Sequence, residues 1–339
     1  MRRDGNLGMD TLRLALVGCG GMGRGLGTQA VELDAVAVTV VCDLLAERRQ
    51  QAAEQFGAEP AQDYRAVVGR ADVDAVLVAT QPSAHRPVVE AAAAAGKHVF
   101  CEKPLAPTTA DCDAMIAAVD AAGVKAMVGQ VVRWHPTHRR LKQMVDEGPL
   151  GPVLAMYVER LGGIWGADHP GWRLKRAESG GTLMEVNAHE LDFMIWLAGP
   201  VKQVTAVGGN LLDTRQDYPD IAFVSMVFAS GAVGVLQSSH LATLGAYDGR
   251  FDCRDASATV SRLFGGEITW RARDSEETQA VTPEEMQVEV PVRGELRAFV
   301  KAIREDTPVA VPFAEARRNV AVAEAAYESI ATGRTISLG

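Results

Sequence analysis

Leu12-Arg13-Leu14-Ala15-Leu16-Val17-Gly18-Cys19-Gly20-Gly21-Met22-Gly23 decides the fold. The first six residues, apolar but for Arg13, read as a buried strand, and the run after them fits G-x-G-x-x-G. Gly18 permits a tight turn, Gly20 lets the backbone approach a pyrophosphate, and Gly23 lets helix and strand pack closely. Gly21 and Met22 complete a loop whose phosphates would sit at a helix N-terminus, where free N–H groups and the dipole favour anions. Such a run alone is weak evidence. Here it follows a strand and opens a helix at the first turn of an alternating pattern, which is the context that confirms it.

The second strand ends in Val41-Cys42-Asp43. Asp43 lies about 20 residues past the last glycine, where an acid hydrogen-bonds the adenosine ribose. A carboxylate there repels a 2′-phosphate, so NAD is favoured over NADP, while Arg48 and Arg49 keep NADP open.

Strands are expected at Leu12–Val17, Val36–Cys42, Ala75–Ala79, His98–Cys101 and Ala126–Gly129, with helices at about 22–33, 44–56, 62–69, 84–95 and 108–122. Gly57, Gly96 and Gly123 stand just past three of these helices, where C-terminal caps belong. Strands apolar throughout, alternating with helices, predict a doubly wound parallel sheet covered on both faces.

Gly148-Pro149-Leu150-Gly151-Pro152 breaks that pattern. Beyond it come strands at Val153–Arg160, Gln203–Gly208, Ala256–Phe264 and Glu267–Ala272, and a hairpin of Ile221–Phe228 and Ala232–Ser238 around Ala229-Ser230-Gly231. One helix, about 182–198, interrupts them, and helices at about 294–305 and 313–331 close the chain. The expectation is an α/β chain with a dinucleotide-binding Rossmann domain at 11–133. An α+β domain at 134–339, with a large, mostly antiparallel open sheet, follows it for substrate binding and oligomerisation. The last helix can pack back on the first domain.

The 339 residues suit two domains and a core that needs no staples. A net charge of −9 without a basic run argues against nucleic acid. Five cysteines without a CxxC, namely Cys19, Cys42, Cys101, Cys112 and Cys253, argue against a zinc site or disulfide framework and suit a reducing compartment. No apolar run approaches the roughly 20 residues of a membrane span. Arg2-Arg3 lacks the apolar stretch of an export signal, so residues 1–10 read as a loose extension, with Met9 an alternative start, and the protein as cytoplasmic.

Candidate chemistry lies at three places. Lys103, in Glu102-Lys103-Pro104, follows a strand on the sheet edge where ligands bind, and its ammonium suits stabilising charge on an alcohol oxygen. Glu185 and His189 are four apart on one expected helical face, with Asp192 three further on. A neutral imidazole suits removal of a hydroxyl proton. His85 either lines the nicotinamide edge or simply opens a helix. His135 and His138 are spaced for a metal but lack an evident third ligand, and no metal is expected. Thr80, Pro82, Glu102, Lys103 and Gln130, at the ends of strands or just beyond, are further expected cofactor contacts.

With these residues in hand, the chain from about 12 to 338 resembles the glucose–fructose oxidoreductase/inositol dehydrogenase (Gfo/Idh/MocA) family. The resemblance rests on Val17 to Gly23, Glu102-Lys103-Pro104-Leu105, Trp172-Arg173, Ser179-Gly180-Gly181 through His189 and Asp192, and Ala325-Ala326-Tyr327-Glu328-Ser329. It implies a catalytic Lys103, a proton-transferring His189, and dimers or tetramers formed through the large sheet. Glu185 stands where many members carry Asp, and Asn187 where many carry Gly. The resulting expectation is reversible oxidation of a secondary alcohol of a sugar or polyol by NAD. Glu185 would orient Lys103 or His189, and Arg133, Trp134, Trp172 and Arg173 would line the substrate pocket. A non-catalytic NAD sensor on the same fold, and a reductase of C=C or C=N bonds, are the alternatives.

Overall fold

The structure, a computed structural model, describes residues 11–163 and 171–339; the expected N-terminal extension and Met9 lie outside the described residues. Six parallel strands form the first sheet: β1 (Leu12–Val17), β2 (Val36–Cys42), β3 (Glu59–Ala61), β4 (Ala75–Val78), β5 (His98–Glu102) and β6 (Ala126–Gly129). Their order, β3-β2-β1-β4-β5-β6, is that of the doubly wound dinucleotide-binding sheet. Between them run α1 (Gly21–Ala30), α2 (Ala46–Phe56), α3 (Tyr64–Val68), α4 (His85–Ala94) and α5 (Thr109–Ala122). Every residue of β4 and β6 is buried, which explains their unbroken apolar sequence. Gly57, Gly96 and Gly123 all take positive φ at helix ends, as their positions suggested. The short edge strand β3, which holds Pro60, carried too little pattern to be read beforehand.

A helix that periodicity had not assigned, α6 (Pro136–Asp146), leads into the second sheet. Its nine strands are β7 (Val153–Leu161), β8 (Val201–Gly209), β9 (Ile221–Phe228), β10 (Val233–Ser239), β11 (Gly249–Cys253), β12 (Ala256–Val260), β13 (Ile268–Ala272), β14 (Gln279–Val281) and β15 (Ile336–Ser337). The order is β14-β13-β12-β11-β7-β10-β9-β8-β15, antiparallel except for β7 with β10. The β9–β10 hairpin turns as expected, whereas the apolar run to Phe264 leaves the sheet after Val260.

Three short or medium helices bridge the sheets: α7 (Arg176–Ser179), α8 (Thr182–Glu185) and α9 (Ala188–Ala198). The helix expected over 182–198 is thus two helices. Lys103 Nζ donates to the Glu185 carbonyl at 2.6 Å, the acceptor that the His189 N–H would use in a continuous helix. Asn187 turns its amide to Glu190 Oε2 at 2.8 Å and accepts from Ser238 Oγ at 2.6 Å, the local competition by which Asn disfavours helix interiors.

The chain closes with α10 (Pro291–Arg304) and α11 (Phe313–Thr332). α10 packs on α1, and α11 touches α5 and β6 as well as β8, so the closing helices clamp the two sheets together. One face of β8–β10 lies under α9 and α11, while the other exposes Val207, Phe223, Val227 and Val233. Among the described residues, no helix is long and apolar enough to cross a membrane. All five cysteines are buried and unpaired, as small core residues.

Candidate active site

The glycine loop joins the buried end of β1 to α1. Gly18 has φ +97°, and a Cβ there would lie 2.5 Å from the Ala79 carbonyl of the neighbouring strand end. A Cβ on Gly23 would overlap the Gly18 carbonyl itself. These two glycines are therefore demanded by packing. Gly20 and Gly21 are different: a Cβ on Gly21 meets nothing within 4 Å, and one on Gly20 meets only Arg48 Nη1 at 4.0 Å. They border open space over the α1 N-terminus, whose first N–H groups have no helical acceptor. This cradle fits a dinucleotide's pyrophosphate. Met22 is exposed beside it.

Asp43 is half-buried against the same loop. Its Oδ2 accepts from Cys19 N and its Oδ1 from Leu45 N, both at 2.8 Å. Each oxygen keeps a lone pair for a ribose hydroxyl. Arg49 is committed to the Asp43 carbonyl at 2.6 Å, which leaves Arg48 as the guanidinium over the loop.

At the end of β4, Thr80 is half-buried and Pro82 opens a short 3₁₀ turn (Pro82–Ala84). The structure decides between the two readings of His85. The ring is wholly buried: Nδ1 faces the Pro104 and Leu105 carbonyls and Nε2 the Thr80 carbonyl, each at 3.1 Å. Burial lowers its pKa despite those carbonyls. His85 ties the β4 and β5 loops together and, enclosed in this way, presents no edge to the nicotinamide.

Lys103 and Glu185 come together across the two sheets. Lys103 Nζ lies 3.4 Å from Glu185 Oε2, in addition to its bond to the Glu185 carbonyl. Arg173, on the turn Gly171–Leu174, donates through Nε to Glu185 Oε1 at 2.7 Å, and its guanidinium stacks 4.9 Å from the Trp172 ring. Burial raises the Glu185 pKa, but Lys103 and Arg173 outweigh it and leave the carboxyl below its ordinary value. One carboxylate thus spans both cations.

His189, at the start of α9, is half-buried, and its Nδ1 is enclosed without a hydrogen-bond partner. Burial first, then Lys103, Arg160 and His138, hold the imidazole well below its ordinary pKa, so it is neutral at pH 7. The helix break separates it from Glu185, which turns to Lys103 instead. The one-face pairing expected from the i, i+4 spacing is corrected accordingly.

Gln130 is buried with Oε1 unpartnered. Arg133 is not free to meet substrate. It grips Asp192 through Nε and Nη2, both at 2.7 Å, and Glu315 through Nη1 at 2.7 Å, joining α9 to α11. Trp134 likewise packs against Gly294 of α10. Both leave the expected pocket because they stitch elements together. His138 Nε2 contacts Tyr247 Oη at 3.2 Å within an aromatic cluster with Phe193 and Phe264. Among the described residues no group of three or more His, Cys, Asp or Glu could hold a metal.

Residue type alone did not reveal Arg160. At the end of β7 it pairs with buried Glu190 at 3.3 Å and stacks on Tyr247 at 4.5 Å, beside His189. The signal was a charged residue on the covered face of a strand. The glycine pair before α8 also finds its reason. Gly180 and Gly181 have φ +81° and +74°, and a Cβ on Gly181 would strike the Tyr327 hydroxyl that accepts from Leu183 N.

Residues 12–130 match the NAD-binding Rossmann fold of the Gfo/Idh/MocA oxidoreductase family, and residues 142–338 match its C-terminal alpha/beta domain. The chain belongs to that family. It is 34% identical to a 2,7-anhydro-N-acetylneuraminate hydratase of Mediterraneibacter gnavus over 68% of this chain, a match spanning 62% of that relative. It is 28% identical to the myo-inositol 2-dehydrogenase of Thermotoga maritima over 96% of this chain and 98% of that one. A levoglucosan dehydrogenase solved with NADH superposes with a TM-score of 0.88 at 25% identity, covering 97% of this chain and 100% of the other. An aldose–aldose oxidoreductase of Caulobacter crescentus gives 0.87 at 27% identity, with coverage of 97% and 100%.

Proposed function

We propose that the protein is an NAD-dependent dehydrogenase that oxidises a secondary alcohol of a sugar or polyol, reversibly. One observation carries the reading: Lys103, anchored by Glu185, stands beside a neutral His189 on the edge of the sheet that carries the dinucleotide cradle. NAD, when bound, supplies the hydride acceptor. The chain's own residues do the rest. His189 accepts the hydroxyl proton as the C–H hydride departs and C=O forms. Lys103 polarises the oxygen, and Glu185 with Arg173 fixes Lys103. Trp172 and Arg173 border the substrate, and the names of the family relatives above support a polyhydroxyl one. Asp43 favours NAD, with Thr80, Pro82, Glu102 and Gln130 around the nicotinamide half.

Dimers or tetramers formed through the face of β8–β10 that exposes Val207, Phe223, Val227 and Val233 complete the proposal, since exposed apolar side chains gathered on one sheet face suit an interaction surface. Five unpaired thiols suit the cytoplasm. A second reading, a hydratase with no net change in the redox state of the nicotinamide, is favoured by the similarity to the anhydro-sialate enzyme. The test is nicotinamide absorbance with NAD and a panel of inositols, aldoses and sugar acids, beside thermal shifts with NAD and NADP. NADH accumulation supports the dehydrogenase. Product formation without NADH selects the hydratase. Binding of NAD with neither refutes catalysis on these classes.

A further inference from the structure

Glu295 of α10 is 1% exposed, and neither carboxyl oxygen has a hydrogen-bond partner. A buried polar group in that condition needs an explanation. Its place in the fold supplies one. Phe299, one turn along α10, packs edge-on against Phe100 of β5 with ring centroids 5.7 Å apart. Glu102 is two residues on from Phe100, on the same side of the strand, as Glu295 is on the same side of its helix as Phe299. The Phe–Phe contact therefore aligns the two carboxyls. Gly129 on β6 makes room for them: a Cβ there would come within 3.1 Å of the Phe100 ring and 3.3 Å of Glu102 Oε1.

Among the described residues no cation offsets Glu295. On its own helix Arg293 pairs with Gln29 and Glu32, Arg297 with Glu289, Lys301 with Glu305, and Arg304 with the Asp34 and Ala35 carbonyls. Across from it, Arg133 is held by Asp192 and Glu315, and Arg24 of α1, whose buried Nε has no partner, is not among the charges that act on Glu295. The charge Glu295 meets is that of Glu102. Two adjacent buried carboxyls do not both ionise. Burial and Glu102 push Glu295 well above the carboxylate range. Burial also pushes Glu102 up to about 7, with Lys103 opposing and Glu185 adding to the shift. Glu102 Oε2 in turn accepts the Lys103 N–H at 3.1 Å, at the root of the side chain placed in the site.

We infer that Glu295 is a protonated acid behind the active site, that it keeps the proton of the pair, and that Glu102, on the Lys103 N–H, is therefore the carboxyl whose titration turnover follows. The last step rests on the dehydrogenase reading, while the state of the two carboxyls does not.

The test is infrared spectroscopy of the NAD-loaded protein, following the protonated-carboxyl band against pH in wild type, Glu295→Gln and Glu295→Leu. A band persisting at pH 8 in wild type and absent from Glu295→Gln is expected. The Glu102 midpoint stays in place in both variants, because a Glu295 that is already neutral puts no charge on it. The acidic limb of kcat/KM follows that midpoint. Absence of the band at pH 8, its survival in Glu295→Gln, or a Glu102 midpoint or limb that shifts in either variant overturns the inference. Failure of the dehydrogenase reading is distinct: wild type turns over no substrate, and the carboxyl titrations still report on the pair.

Discussion

Replacing Lys103 with Met tests the site most directly. The ammonium makes a 2.6 Å bond to the Glu185 carbonyl and a 3.4 Å contact with its carboxylate, both sheltered from solvent. A hydrogen bond from a charged donor contributes about 1.5–3 kcal/mol. Methionine fills the space without it, so the melting temperature should fall by roughly 5 °C. The chemical loss is larger. A preorganised group facing developing charge is worth about 2.7–4 kcal/mol, a fall of roughly 10²–10³ in kcat. The pyrophosphate cradle lies elsewhere, so the Kd for NAD should change by no more than about threefold. Adding Glu185→Gln removes the carboxylate left beside the missing ammonium, and should recover part of the melting temperature but none of the turnover. The assays are scanning calorimetry, NAD titration and steady-state rates on the active polyol. Turnover of Lys103→Met within about tenfold of wild type would refute the reasoning, because a merely structural ammonium has no hold on kcat.

Asp43→Ala should weaken NAD and improve NADP by removing a carboxylate from the 2′ position while Arg48 stays, and an unchanged ratio of the two Kd values takes Asp43 out of the ribose site. Arg133→Met should cost about 3–5 kcal/mol of stability by stranding buried Asp192, with KM nearly unchanged; a large rise in KM in a protein of wild-type stability would return Arg133 to the substrate pocket. Gly20→Ala should fold like wild type yet bind NAD poorly, whereas Gly23→Ala should lose stability even without cofactor, because its methyl group overlaps the Gly18 carbonyl; melting curves with and without NAD separate the two.

What the sequence by itself determined was whatever depends on neighbours along the chain. Apolar runs bounded by glycine marked the parallel strands, because a strand buried on both faces needs no alternation. The glycine loop, Asp43 and Lys103 sit at strand ends, where local pattern and position coincide. The tertiary structure alone decided which side chains meet. Glu185 and His189 share a helical spacing, yet Lys103, 82 residues earlier, takes the Glu185 carbonyl and breaks the helix between them. Arg133 looked like a ligand residue until Asp192 and Glu315, 59 and 182 residues on, proved to be its partners. His85 was evenly balanced between two roles until burial among three carbonyls settled it. Glu295 gave no local signal, since an acid in an amphipathic helix reads as solvated unless the packing of Phe299 on Phe100 is known. Local sequence fixes backbone preference and periodicity, but the charge state and partner of a buried polar group depend on residues far along the chain that only the fold brings near.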